Sequence, residues 1–223
     1  GEIASSVEAA GGELNAYTTR EYTCYHALVL REHWQKALDV LCDIVSNMEV
    51  SQDDFRVEKS VIQQEIAMID DSLEELVYDE FFMRMLPKHS LGKPILGTAE
   101  SIAKMKLSSV RNFYKQQYTG AQLIVALAGG VEHEEFLHAA ETILKRKKSI
   151  VKSNLVAKKR VNPKAKRFRD VVEKQTEQLH LLLGIPCSSF KDSHRFEAFI
   201  VNTMLGGGMT SKLYQSIREK KGL

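Results

Sequence analysis

The chain has 223 residues, 43% of them hydrophobic, and a formal net charge of +2, which is ample apolar material for a folded core. No run of about 18 apolar residues occurs, and the first dozen residues lack both a basic start and an apolar block, so neither a membrane span nor a signal peptide is read here. Cys24, Cys42 and Cys187 are odd in number and lack C-x-x-C spacing, which argues against a disulfide framework or zinc knuckle and for thiols in a reducing compartment.

In chain order, Ile3 to Ala10 has a helical rhythm that ends at Gly11-Gly12, a helix-stop signal. Leu14 to Thr19 and Tyr22 to Leu30 are rich in aromatic and β-branched residues with Arg20-Glu21 between them, so they predict a strand pair. Trp34 to Asn47 places Leu38, Leu41, Val45 and Met48 at three- and four-residue steps, the pattern of a helix. Ser51 with Asp53-Asp54 should cap a long helix from about Phe55 into the 80s. His89 to Thr98, with Gly92, Pro94 and Gly97, must be a loop. Ser108-Ser109 is expected to cap a helix over Val110 to Gln117, and Leu123 to Ala128 reads as a buried strand ended by Gly129-Gly130. A helix over Glu134 to Leu144 follows. Glu177 to Gly184 reads as a second buried strand; Ser193 opens a helix to Met204, Gly206-Gly207-Gly208 breaks it, and Ser211 starts a last helix to Lys221.

Strands alternating with helical pairs imply an α+β fold with a mixed or antiparallel sheet packed by helices. From Lys145 to Arg169 there are twelve Lys or Arg and no Asp or Glu. Clustered cations can neutralise phosphates, but only Phe168 interrupts the block as an aromatic, so a solvated linker at 151–167 is preferred to a nucleic-acid surface. It divides a first domain, 1–150, from the opening half of a second, 168–223. Gly1 in place of Met, and a stop at Gly222-Leu223 straight after a helical segment, read as cuts at both ends.

Glu58 and Glu65 are seven residues apart on the long helix, and seven steps of 100° return to within about 20° of one face. The neighbours Val61, Ile62, Ile66 and Met68 place both carboxylates at or beside a core-facing stripe, where a divalent cation would be a strong partner; a solvated helix face is the plainer alternative. His133-Glu134-Glu135-Phe136-Leu137-His138 imitates H-E-x-x-H, but its histidines are five apart and diverge by about 140° on a helix, so they cannot clasp one ion. Gly206-Gly207-Gly208 before Met209-Thr210-Ser211 lacks the Lys placement of a phosphate cradle and reads as a hinge.

Four strings resemble the insulinase and pitrilysin class of zinc peptidases, above all its processing-peptidase branch. Residues Gly11 to Tyr25, GGELNAYTTREYTCY, are similar to G-G-x-x-N-A-Y-T-S-R-E-Y-T-x-Y; Glu58 to Met68, EKSVIQQEIAM, to E-R-x-V-I-x-E-E-I-x-M; His89 to Thr98, HSLGKPILGT, to H-P-L-G-x-P-I-L-G-T. Leu205 to Leu223, LGGGMTSKLYQSIREKKGL, resembles L-G-G-G-M-S-S-R-L-F-Q-E-I-R-E-K-R-G-L. All four keep the family's order along the whole chain.

The resemblance implies a duplicated two-domain peptidase architecture, one domain nearly whole and the second partial. In the family, two histidines of H-x-x-E-H and a distant glutamate hold zinc; Glu65 matches that ligand, and Glu58 matches a second acidic residue supporting the site. Asn15 and Ala16 match the strand on which an extended substrate is laid by backbone hydrogen bonds. Arg218 matches the arginine of an Arg and Tyr pair that steadies the substrate carbonyl. The H-x-x-E-H motif would precede Gly1, so the chain alone is expected to be inactive and to bind zinc weakly. The function implied for the parent protein is a zinc-dependent endopeptidase acting on peptides or unfolded proteins, as a homodimer or with a paired subunit, without nucleic acid or membrane. The bacterial cytoplasm is its expected location, with the mitochondrial matrix as the alternative. The competing reading is a non-catalytic paralog that serves as a partner subunit or structural core protein.

Overall fold

The computed structural model describes residues 5, 7–118, 120–146 and 161–222. It divides into two compact units, Gly1–His180 and Leu181–Leu223. The architecture is α+β, helix-rich with a small antiparallel sheet.

In the first unit, β1 (Glu13–Thr18) and β2 (Thr23–Leu28) pair antiparallel, with Asn15 opposite His26 and Ala16 opposite Tyr25. Thr19 closes the turn: its N–H donates to the Tyr22 carbonyl at 2.8 Å, and its hydroxyl oxygen accepts the N–H groups of Glu21 and Tyr22 at 3.2 and 3.1 Å. Before β1, Ser5, Val7 and Glu8 are helical; the rest of the expected first helix lies partly outside the described residues. Gly12 tucks in so closely that a Cβ there would come within 2.6 Å of Val29 Cγ1.

Helix α1 (Trp34–Ser46) carries the core. Leu38 and Cys42 pack with Ala140 of α6 (His133–Arg146), and Trp34, Phe136, Ile143 and Val125 close around them. Tyrosines tie β2 and α1 to α5 (Leu107–Gln117). The hydroxyls of Tyr25 and Tyr118 lie 3.2 Å apart, and the Tyr114 hydroxyl donates to the Val45 carbonyl at 2.9 Å. Burial, then the bond to Tyr118, pushes the Tyr25 phenol well above its ordinary range.

Ser51 caps α2 (Gln52–Asp71) as its sequence predicts. The Ser51 hydroxyl accepts the Asp54 N–H at 3.0 Å, and the Asp54 carboxylate accepts the Ser51 N–H at 3.2 Å. The long helix expected into the 80s is two helices. Ser72 is extended, with ψ of 104°, and its side chain accepts from the Glu75 N–H to start α3 (Leu73–Met85). A serine followed by Glu three residues later is itself a start signal, so capping overrides the continuous helical rhythm. An unanticipated helix α4 (Ala99–Lys104) opens with a reciprocal Thr98 and Ser101 cap. Helix α5 begins at Leu107, earlier than the serines suggest, because Leu107 is buried and Ser108-Ser109 fall inside the first turn.

The two predicted buried strands are corrected. Residues 123–128 alternate in exposure as a strand would, yet Ile124 is 90% exposed and no strand pairs with them among the described residues. They border a cavity of about 700 Å³ lined also by Tyr25, Ala27 and Leu38. Residues 177–184 form no strand either, and Leu179, Leu181 and Leu183 are 85–89% exposed. In both cases the apolar pattern is present and the neighbouring strand that would turn it into sheet is absent among the described residues.

Of the basic block, residues 147–160 lie outside the described residues. From Val161 onward the chain runs along α3: the Lys166 N–H donates to the Met85 carbonyl at 2.8 Å, Phe168 packs on Phe81 with ring centroids 5.5 Å apart, and Asp170 pairs with Arg84.

The second unit holds α7 (Arg195–Gly206). This helix starts after Ser193, its turn set by the Asp192 carboxylate accepting the His194 N–H at 2.9 Å. Gly207 breaks it where a Cβ would meet the Thr203 Cα at 2.7 Å. The last helix follows Ser211 and winds as a π-helix over Tyr214–Glu219.

Candidate functional site

Glu58 and Glu65 sit on one flank of α2, as their spacing requires, separated by about 10 Å of helix rise. Both are exposed. The half-buried stripe of α2 consists of Phe55, Lys59, Ile62, Ile66 and Ile69, and the Lys59 ammonium fixes that side to α4 by donating to the Ala103 carbonyl at 2.5 Å. Val61 and Met68, expected in the core-facing stripe, are 40% and 71% exposed and share the carboxylates' flank. The stripe thus lies one helix sector away from the carboxylates, because α3 and α4 pack against α2 from the other side.

Among the described residues, no hydrogen bond or ion pair reaches the side-chain carboxyl group of Glu58 or Glu65, and no three His, Cys, Asp or Glu side chains gather to hold a metal ion. Glu65 presents a single exposed carboxyl group on a well-capped helix. The described residues alone do not complete a zinc site, which takes three protein ligands and an open position.

Asn15 and Ala16 are neighbours on β1, exposed, and the edge of β1 away from β2 is unpaired among the described residues. The Asn15 side-chain oxygen accepts the Ala16 N–H at 2.8 Å. On the same hairpin, Tyr17 stands edge-on to Tyr22 with centroids 6.1 Å apart, and hydrogen bonding with Tyr22 and then Cys24 pushes its phenol up to about 12. The edge therefore presents the protonated Tyr17 phenol and backbone groups at neutral pH.

A residue without a predicted role stands out beside this edge. The Arg20 guanidinium donates to the Asp79 carboxylate of α3 at 2.6 Å and to the Leu91 carbonyl at 3.2 Å, also reaches the Lys93 carbonyl, and lies 4.7 Å from the centre of the Phe82 ring. The signal was an arginine at a hairpin tip, which gives no hint of so many distant partners. In the second unit, Arg218 lies on the π-helical turn with its guanidinium carbon 5.6 Å from the Tyr214 ring centre.

A sequence profile described as Insulinase (Peptidase family M16) matches residues 1–99, and one described as Peptidase M16 inactive domain matches residues 104–223. Proteins named as uncharacterized zinc proteases in Streptomyces coelicolor and Bacillus subtilis are each 35% identical across 100% of this chain, which covers 49% and 53% of them. This chain thus spans about half the length of these relatives. Among solved structures, a protease from Helicobacter pylori superposes with a TM-score of 0.83 at 21% identity, covering 100% of this chain and 54% of that one. A peptidase M16 inactive domain from Pseudomonas fluorescens gives 0.78 at 18%, covering 99% and 54%. These two show a shared fold. With the second profile alone matching more than half of its length, the chain belongs to the insulinase family of peptidases, family M16.

Proposed function

We propose that this chain is part of a zinc-dependent endopeptidase that cleaves extended peptides. The observation that carries the reading is the pairing of an open strand edge at Asn15 and Ala16 with an exposed carboxylate, Glu65, on a capped helix, in a chain of family M16 whose relatives are named zinc proteases. A peptide adds to the β1 edge by main-chain hydrogen bonds, which accept many side chains. To do so it competes with the Asn15 side chain for the Ala16 N–H. Glu65 supplies one carboxylate ligand, and Glu58, about two turns away on the same flank, supports it; the remaining ligands come from outside residues 1–223. Zinc, when held, makes bound water nucleophilic near neutral pH. Arg218 steadies the substrate carbonyl.

The chain by itself is inactive on this reading. The parent works on peptides or unfolded proteins, as a homodimer or with a paired subunit, in the bacterial cytoplasm. No helix among the described residues is long and apolar enough to cross a membrane. The test is cleavage of an unstructured fluorogenic peptide by the full-length parent, with loss on chelation and recovery on adding zinc. A parent that leaves the peptide intact at every zinc level refutes the reading. A second reading, a non-catalytic partner subunit, is favoured by one observation: residues 104–223 match a profile described as an inactive domain. The same assay separates the two.

A further inference from the structure

The β1–β2 hairpin has a short, stiff tip. Only Thr19 separates Thr18, the end of β1, from Arg20, and the Thr19 side chain already holds the turn through Glu21 and Tyr22. Wherever the Arg20 guanidinium is fixed, the end of β1 is fixed with it.

The guanidinium is fixed from three directions. Asp79 of α3 takes its charge, the carbonyls of Leu91 and Lys93 take further N–H groups, and the guanidinium carbon lies over the Phe82 ring. Arg20 and Asp79 keep only 18% and 22% of their side-chain surface exposed, so this is a largely desolvated, charge-assisted cluster rather than a surface ion pair. The partners are themselves rigid. The Leu91 N–H donates to His89 Nδ1 at 3.2 Å, and Gly92 presses so close to α3 that a Cβ would lie 2.2 Å from the Leu86 carbonyl oxygen. Helix α3 continues from α2 through the single residue Ser72 and packs against it. One guanidinium thus links the tip of the strand whose edge is open to the helix pair that carries Glu58 and Glu65.

We propose that Arg20 is a positioning residue: it sets where the peptide-binding edge of β1 stands relative to α2, and so how an extended substrate is presented to Glu65. This rests on the peptide-binding reading above. Arginine is required because five donors in a planar fork can serve a carboxylate and two carbonyls while stacking on a ring; a lysine ammonium can keep the charge on Asp79 but cannot do all of this. Arg20 touches no reacting atom, and its loss should therefore weaken substrate binding more than turnover.

The test uses the full-length parent and its Arg20→Lys and Asp79→Asn variants, with zinc content and melting temperature checked first. The expected result is a KM for an unstructured peptide raised by about tenfold with kcat within about twofold, since small misplacements at a binding edge are costly. Faster amide exchange over residues 17–22 should accompany it, with wild-type zinc content. Unchanged KM and exchange in both variants overturn the proposal. So does a KM change that appears only together with lost zinc and a lowered melting temperature, which marks a merely structural role. A wild-type parent that cleaves nothing refutes the peptidase reading alone. Anisotropy binding of the same peptide then decides on Arg20, and equal affinity, or none, in wild type and Arg20→Lys overturns it.

Discussion

Helices α1 and α2 are both amphipathic; α1 starts at the predicted Trp34 and α2 at Gln52, directly after its predicted Ser51 cap and ahead of the expected Phe55, yet they meet different fates. Helix α1 buries Ala37, Leu38, Cys42 and Ser46, with Leu38 and Cys42 packed against α6 and Val125, whereas α2, longer at 20 residues, buries none fully and leaves Val57, Val61 and Met68 in solvent. The stripe of α2 that is covered faces α3 and α4, and the flank left open is the one bearing Glu58 and Glu65. The difference teaches that periodicity fixes the form of a helix but its neighbours decide which apolar side chains are core. One helix builds the core; the other displays two carboxyl groups on a capped base.

Breaking α1 should therefore cost far more than altering the outer flank of α2. Leu38→Ala removes a buried side chain from the α1–α6 core and should destabilise by about 3 kcal/mol in urea unfolding, the range for buried leucines. A loss below about 1 kcal/mol would show that this contact is not the core of the first unit.

The base of α2 is the next level. Ser51→Ala deletes the cap and should cost about 1 kcal/mol. Ser51 also holds the Asp54 carboxyl below its ordinary 3.8, first by donating its hydroxyl and then its N–H. A carboxylate depressed in the folded state contributes stability above its unfolded value and loses it as pH falls through the folded one. The same sign applies to Asp170, held low first by its bond to Arg84 and then by the Val171 N–H. Stability should thus be level near neutrality and fall below about pH 4. The fall should be shallower in Asp170→Asn, read as urea midpoints at pH 7 and pH 3. An equally steep fall in that variant would deny the Arg84 pair a part in acid stability.

The smallest effect belongs to the open flank. Met68→Gln changes a side chain that is 71% exposed and should shift stability by less than about 0.5 kcal/mol. A larger loss would mean that this flank of α2 is covered in the intact protein.

Much of this is legible in the sequence. The hairpin, α1, the Ser51 cap, the loop after His89 and the shared face of Glu58 and Glu65 follow from local signals: β-branched pairing, three- and four-residue steps, capping residues and helical arithmetic. The break at Ser72 was also written in the sequence, as Ser followed by Glu75, but a continuous helical rhythm masked it. Residues 123–128 and 177–184 misled because a strand needs a neighbour, and a neighbour is a property of the whole fold. The exposure of Val61 and Met68 and the Arg20 cluster were out of reach for the same reason: both depend on where α3, α4 and the turn at Ser90–Gly92 pack.

Glu65 in the full-length parent is the most direct test of a zinc peptidase site. Glu65→Gln keeps size and shape and removes the anionic charge, so bound zinc and cleavage of an unstructured peptide should fall together, while Glu58→Gln should retain zinc and lose about 10- to 100-fold in rate or affinity. A Glu65→Gln parent with full zinc content and full activity would contradict the account and leave this residue as a solvated position on α2.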